Sequence, residues 1–214
     1  MNSMMKKAIC MMATTLAFTV GKESLMNTRA LEKLAQTARD SDDIVNRVNE
    51  AIRLVVPFIK EHEGYRHNAY WDKIGKKWTV GHGHTFIPDP KTGKLRAVVK
   101  GDTIDAKASS ALVRNRLRQN ASKMYKDLQW TRSLSPGALA ALYDVAYNSG
   151  TGTLSAAKSP SLNRRMNAPG ADRDAIAFEE VPTYKKSGGK VVKGLLNRRM
   201  DAVKAFKGLL PNKS

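Results

Sequence analysis

One change of pattern constrains this chain more than any other feature. From Ile44 to Ile59 apolar residues recur at helical spacing: Ile44, Val45, Val48, Ile52, Val55, Val56 and Ile59 form one face. From Tyr65 to Phe86 that period is lost. Gly64, Gly75, Gly81 and Gly83 punctuate short stretches holding Tyr70, Trp71, Trp78, Thr79 and Val80. This predicts a small antiparallel sheet with its turn near Lys73-Ile74-Gly75-Lys76. A loop rich in Pro, Gly and Lys follows, from Ile87 to about Gly101. Then the helical period returns. Asp105 predicts the N-cap of a helix reaching about Asp127, with Ala108, Leu112, Leu117, Ala121 and Met124 inward. Ser135-Pro136 opens another, whose broad apolar face (Leu139, Leu142, Tyr143, Ala146, Tyr147) predicts deep burial. Asn148-Ser149-Gly150-Thr151-Gly152 ends it. Shorter helices are expected around 159–168 and 171–180, and a last one between Val191 and Leu210, with Val192, Leu195, Leu196, Val203, Phe206 and Leu210 on one side. Helix, small sheet, then helices is the order of an α+β fold with its sheet and helices segregated.

The N-terminal part reads differently. Lys6-Lys7 precede an uncharged run from Ala8 to Gly21, closed by Lys22-Glu23. This is a basic region and an apolar region of export-signal length, short of the roughly 20 residues of a stable transmembrane helix. A cleaved signal, an uncleaved weak anchor and a buried helix all fit; an export-type segment over 1–22 is the expectation. Residues 23–50 read as a helical spacer, with Leu31, Leu34 and Ala38 at helical spacing. Asp40-Ser41-Asp42-Asp43 is expected to interrupt it, with Ser41 capping a second helix, and Pro57 to kink or restart that helix. Cys10 is the single cysteine, so no intramolecular disulfide forms.

Charge narrows the partners. The 214 residues carry a formal net charge of +18. Residues 1–50 hold seven Lys/Arg against six Asp/Glu, so the excess belongs to the remainder, with 30 against 13. Such a surface is drawn to a polyanion. Neither a long basic arm, nor zinc-finger spacing, nor the aromatic signature of an RNA-binding sheet accompanies it, and nucleic acid is not expected as a partner.

The segment Glu63 to His84 carries the chemistry. Cleaving a glycosidic bond takes one carboxylic acid that donates to the leaving oxygen and a second carboxylate that activates water or attacks the sugar. Glu63 stands at the end of the apolar helix face, just before Gly64. Asp72 stands at the turn of the predicted sheet, so the two would face each other across a cleft between helix and sheet. Thr79, on the returning strand, could hold a water near Asp72. From spacing alone this is only suggestive, because a Glu and an Asp nine residues apart are more often solvated surface charges. Glu61 competes for the acid's role, but two residues away on a helix it points elsewhere.

The run Glu63-Gly64…Ala69-Tyr70…Asp72…Gly75…Trp78-Thr79-Val80-Gly81-His82-Gly83-His84-Thr85 resembles the active-site segment of the phage-type lysozymes of glycoside hydrolase family 24. Two later stretches extend the likeness. Gly137 to Gly152 is similar to the family's buried helix with its Asn-x-Gly-x-Gly ending. Gly188-Gly189-Lys190…Gly194-Leu195…Arg198-Arg199…Ala202 is similar to its closing motif. Together they span roughly residues 52–207. The resemblance implies a lysozyme-like α+β fold: a small antiparallel β lobe (about 64–86) and a mainly helical lobe within a catalytic domain over 51–210, with the cleft between the lobes. It implies a Glu–Asp–Thr triad on Glu63, Asp72 and Thr79, with His84 and Asn148 as scaffold or substrate-contacting residues. It implies cleavage of the β-1,4 bond between N-acetylmuramic acid and N-acetylglucosamine in bacterial peptidoglycan by a monomer, with no metal or cofactor. Export to the periplasm or cell wall fits the N-terminal segment, with transient inner-membrane association through residues 8–21 if it is an anchor. Three departures stand out. Asp72 and Thr79 are seven apart, one more than in familiar members; Asp201 replaces a common Glu; and no Trp occurs in 153–161 or in Val181–Lys186.

Three other readings bear on the same residues. His82 and His84 share one face of a strand and could chelate zinc with His62 or His67, giving a peptidase. A lytic transglycosylase would use one Glu, leaving Asp72 and Thr79 without a role. The last helix, with Lys193, Arg198, Arg199, Lys204 and Lys207 beside an apolar face, could disrupt anionic membranes.

Overall fold

The computed structural model describes residues 23–73 and 75–208, apart from the side chains of residues 23–31, Leu34 and Ala38. The expectations for the export segment, Cys10 and Leu210 lie outside the described residues. Helix α1 (Glu23–Glu63) is followed by β1 (Arg66–Asp72), β2 (Lys77–Gly81), β3 (Phe86–Pro88) and β4 (Leu95–Ala97). Then come α2 (Ala106–Asp127), α3 (Pro136–Ser149), α4 (Pro160–Met166), α5 (Arg173–Glu180), β5 (Lys186–Ser187), β6 (Lys190–Val191) and α6 (Lys193–Lys207). Short 3-10 turns join several of the helices. Among the described residues no helix is long and apolar enough to cross a membrane.

The chain divides into two compact units, residues 1–46 and 47–214. In the first, the described residues are helical and polar. Gln36 donates to Asp40 at 2.7 Å and Arg39 donates to Gln36 at 2.9 Å. Pairs three and four residues apart each support a helix by about 0.2–0.5 kcal/mol. They correct one expectation: Asp40–Asp43 does not break α1. A cap at Ser41 would require leaving the helical conformation, whereas Asp40 is already engaged within the helix. Val45, expected on the apolar face, is 51% exposed.

The second unit contains both layers. Its helical core gathers Ala51, Ile52, Val55 and Ile59 of α1 with Val113 and Leu117 of α2 and nearly all of α3. Pro57 sits inside α1 without ending it. The carbonyl it leaves without a helical partner belongs to Arg53, and both residues lie on the exposed side of α1. Helix α3 is buried from Gly137 to Tyr147, the pattern of a helix surrounded on all sides. Its start is as the sequence reads: the Ser135 hydroxyl accepts from the Ala138 N–H and Pro136 opens the first turn. Asp105 caps α2 in the same way, accepting from Ala108.

A second, smaller core, Val80, Ile87, Val98 and Ile104, defines the β lobe. Strands β1 and β2 pair antiparallel, with Trp71 opposite Trp78 and Asp72 opposite Lys77. The two indole rings meet edge to face, centroids 5.7 Å apart. Beyond the single predicted sheet, the loop after Phe86 forms the hairpin β3–β4, and β5–β6 forms another. Residues 102–104 also bond to the outer edge of β1, through Ala69 N–H to the Asp102 carbonyl at 2.8 Å and Ile104 N–H to the His67 carbonyl at 3.0 Å.

Candidate active site

The site is assembled where α1 stops. Gly64 adopts φ +65° and its N–H donates to the Lys60 carbonyl at 3.1 Å, closing the helix in the left-handed manner that favours glycine. Glu63 is therefore the last helical residue, and its carboxylate is held by one bond and given room on its other side. Arg198 of α6 donates to Oε1 at 2.7 Å. On the other side, a β-carbon added at Gly83 would lie 3.3 Å from Oε2, so the glycine leaves that oxygen its space in the turn after β2.

Arg198 belongs to a buried charge cluster. Its guanidinium donates to Asp144 Oδ1 through Nε at 2.9 Å and Nη2 at 2.8 Å. Arg199 donates to Asp144 Oδ2, to Asn148 Oδ1 at 3.1 Å and to the Tyr184 carbonyl at 3.3 Å. Asp144 and Arg199 have no exposed side-chain surface. Burial pulls both arginines down; for Arg198 the carboxylates of Asp144 and Glu63 outweigh it and raise its pKa, whereas Arg199 stays lowered. The roles of Arg198 and Asp144 as supports for Glu63 are not among the expectations drawn from the sequence. One signal was present: Asp144 is the lone carboxylate in a helix otherwise apolar on every face. The cluster also removes two of the five cations expected to line the last helix, because Arg198 and Arg199 are buried and do not form a solvated basic face.

The hairpin β1–β2 brings Asp72 and Thr79 to one face. Tyr70 opposes Thr79 and Asp72 opposes Lys77, so the pleat puts all four on the side turned away from the lobe's core, where Ala69, Trp78 and Val80 pack. Asp72 is half-buried. A β-carbon at Gly75 would lie 2.5 Å from its Oδ2, so the turn glycine makes room for this carboxylate. Thr79 is 4% exposed, and its hydroxyl has no hydrogen-bond partner among the described residues. A buried hydroxyl left so costs about 1–3 kcal/mol, which makes it an unusual feature to retain.

His82 and His84 turn onto Ser109 of α2. The Ser109 hydroxyl accepts from the His82 backbone N–H at 3.0 Å and lies 2.6 Å from His82 Nδ1, while His84 Nε2 lies 3.0 Å from the Ser109 carbonyl. A carbonyl only accepts, so His84 Nε2 carries a proton and donates to it. Both rings thus serve a packed seam, which Tyr147 extends by donating to the His82 carbonyl at 3.3 Å. Among the described residues no three His, Cys, Asp or Glu side chains converge as metal ligands. Asn148 is exposed and engaged by Arg199.

Burial pushes the His84 imidazole down to about 4, only partly offset by the Ser109 carbonyl. The unfolded chain takes up this proton near pH 6.5 and the folded chain does not until about pH 4. Stability is then complete above pH 6.5 and falls as the pH drops toward 4, by at most about 3 kcal/mol. Denaturation midpoints compared across this window should fall more steeply for the wild type than for His84→Gln. Parallel slopes would contradict a neutral buried His84.

The phage lysozyme family model matches residues 60–202, well over half of the chain. The chain belongs to the phage lysozyme family. The match begins three residues before Glu63 and ends beyond Arg199, so it takes in the whole cluster described above. This family member is 32% identical over 157 residues to the endolysin of Bacillus phage PZA, covering 73% of this chain and 54% of the relative. It thus spans about half the length of that curated relative. Among solved structures, the active form of the P1 phage endolysin superposes with a TM-score of 0.58 at 18% identity, over 83% of this chain and 96% of that one. A point variant of P22 lysozyme superposes with a TM-score of 0.53 at 26% identity, over 71% and 94%. The family fold is therefore the mixed one expected, mostly helical with small antiparallel sheets.

Proposed function

We propose that this chain hydrolyses peptidoglycan at the β-1,4 bond between N-acetylmuramic acid and N-acetylglucosamine. The observation that carries the reading is the Glu63 carboxylate, held at a helix end with one oxygen bonded to Arg198 and the other beside Gly83. Membership of the phage lysozyme family and likeness to proteins called endolysin and lysozyme support it. Glu63 delivers its proton to the glycosidic oxygen as the C1–O bond breaks. Water attacks C1 from the opposite face, gives its proton to Asp72, and is oriented by Thr79. The buried Thr79 hydroxyl supports that role, since a water or substrate oxygen would satisfy it. Attack by water from the far side inverts the anomeric centre. Arg198 acts through Glu63 by fixing its rotamer. Access to the wall is through the export-type segment 1–22, and the N-terminal sequence of mature protein recovered from the periplasm tests that part.

Digesting purified peptidoglycan and weighing the fragments tests the reaction. Hydrated N-acetylmuramic acid at the new reducing ends is the expected product. Anhydro ends would mean a transglycosylase, and cleaved stem peptides a peptidase; either contradicts the proposal.

A further inference from the structure

The hairpin β3–β4 exposes an apolar face. Its register sets Phe86 opposite Ala97 and Pro88 opposite Leu95, so these four point the same way, while Ile87 and Arg96 point the other. Ile87 is buried in the lobe core, but Phe86 is 57% and Leu95 61% exposed, and Val99 just beyond is 52% exposed. The rim of this patch is cationic. Lys91 and Lys94 stand on the connecting loop and Lys100 follows Val99, all exposed. The neighbouring acids are engaged elsewhere. Asp102 takes both prongs of Arg96 at 2.7 Å. Asp89 accepts from the Lys91 and Thr92 N–H groups at 2.9 Å, with Arg96 3.6 Å away. Among the described residues no carboxylate forms an ion pair with Lys91, Lys94 or Lys100.

We propose that this hairpin docks on an anionic phospholipid bilayer, with Phe86, Leu95 and Val99 entering the headgroup boundary and Lys91, Lys94 and Lys100 meeting lipid phosphates. Bulky apolar side chains ringed by lysines are the chemistry of an interfacial anchor. The alternatives fit less well. A polyanionic wall polymer would satisfy the lysines and leave Phe86 and Leu95 in water. A second copy docked face to face would set lysine against lysine. The contact needs neither residues 8–21 nor the last helix, whose arginines are buried, and it does not rest on the glycosidase reading.

The test labels the hairpin itself. In full-length protein with Cys10→Ser and Phe86→Cys, an environment-sensitive fluorophore is attached at position 86. Vesicles of phosphatidylglycerol with phosphatidylethanolamine are then compared with vesicles of phosphatidylcholine. The expected result is a blue shift and brightening with the anionic vesicles only. In parallel, Leu95→Ser with Val99→Ser should weaken binding to those vesicles by about tenfold or more, from the apolar area lost. Both substituted side chains are exposed, so the fold should be unaffected, which circular dichroism checks. An emission that does not change while the protein still cosediments would place the membrane contact on another face and overturn the proposal. A lipid-independent shift that grows with protein concentration would assign the patch to self-association and overturn it equally.

Discussion

Replacing Asp144 by Ala should cost this fold about 3–5 kcal/mol, because it strands the buried Arg199 guanidinium without a carboxylate and leaves Arg198 only Glu63. Asp144 accepts from both Arg198 and Arg199, and neither its own side chain nor that of Arg199 has any exposed surface. The charges cannot be relieved by deprotonation, since arginine stays protonated in proteins. For a unit of this size the loss corresponds to roughly 6–20 °C in Tm. The coupling has a signature. Combining Asp144→Ala with Arg199→Met removes one stranded charge and leaves Arg198 with Glu63, so the double variant should be clearly less destabilised than the two single effects added together. Thermal denaturation of all three proteins measures this. A Tm for Asp144→Ala within a degree or two of wild type would mean that the cluster is solvated and contributes little.

The parts of this fold legible in the sequence are those written locally. Asp105 and Ser135 cap their helices from three residues away, and Gly64 ends α1 by its own backbone. These signals sit within one turn of the place they act, and so Glu63 was identified as a helix-terminal carboxylate. The supports of Glu63 were not legible. Arg198 is 135 residues from Glu63 and 54 from Asp144, and adjacency in the fold leaves no periodic trace at that distance. The hairpin β3–β4 leaves no strand signal, because three-residue strands are too short to show alternation. The acidic run at 40–43 points in the opposite direction, since Ser41 could cap only by leaving a helix in which Asp40 is already engaged. The His pair was ambiguous until its partner was known. Ser109 lies 27 residues from His82, so the seam it forms with the two rings leaves no trace in their spacing.

Changing Glu63 to Gln should remove most of the catalysis while leaving the fold in place. Glutamine matches the size of the carboxylate and keeps an oxygen to accept from Arg198, so the contact at 2.7 Å has a replacement. What it cannot do is release a proton to a leaving oxygen. General acid catalysis contributes about 10²–10⁴ in rate, or roughly 3–5 kcal/mol in the barrier. The drop should appear in kcat with little change in KM, because the proton is transferred only in the transition state. Binding surfaces elsewhere, including the lysine-rimmed hairpin, should be untouched. The decisive measurement is the initial rate of reducing-end release from purified peptidoglycan by Glu63→Gln, alongside its Tm. The account predicts a rate at least about a hundredfold below wild type with a Tm near that of wild type. Wild-type turnover in that variant would contradict it.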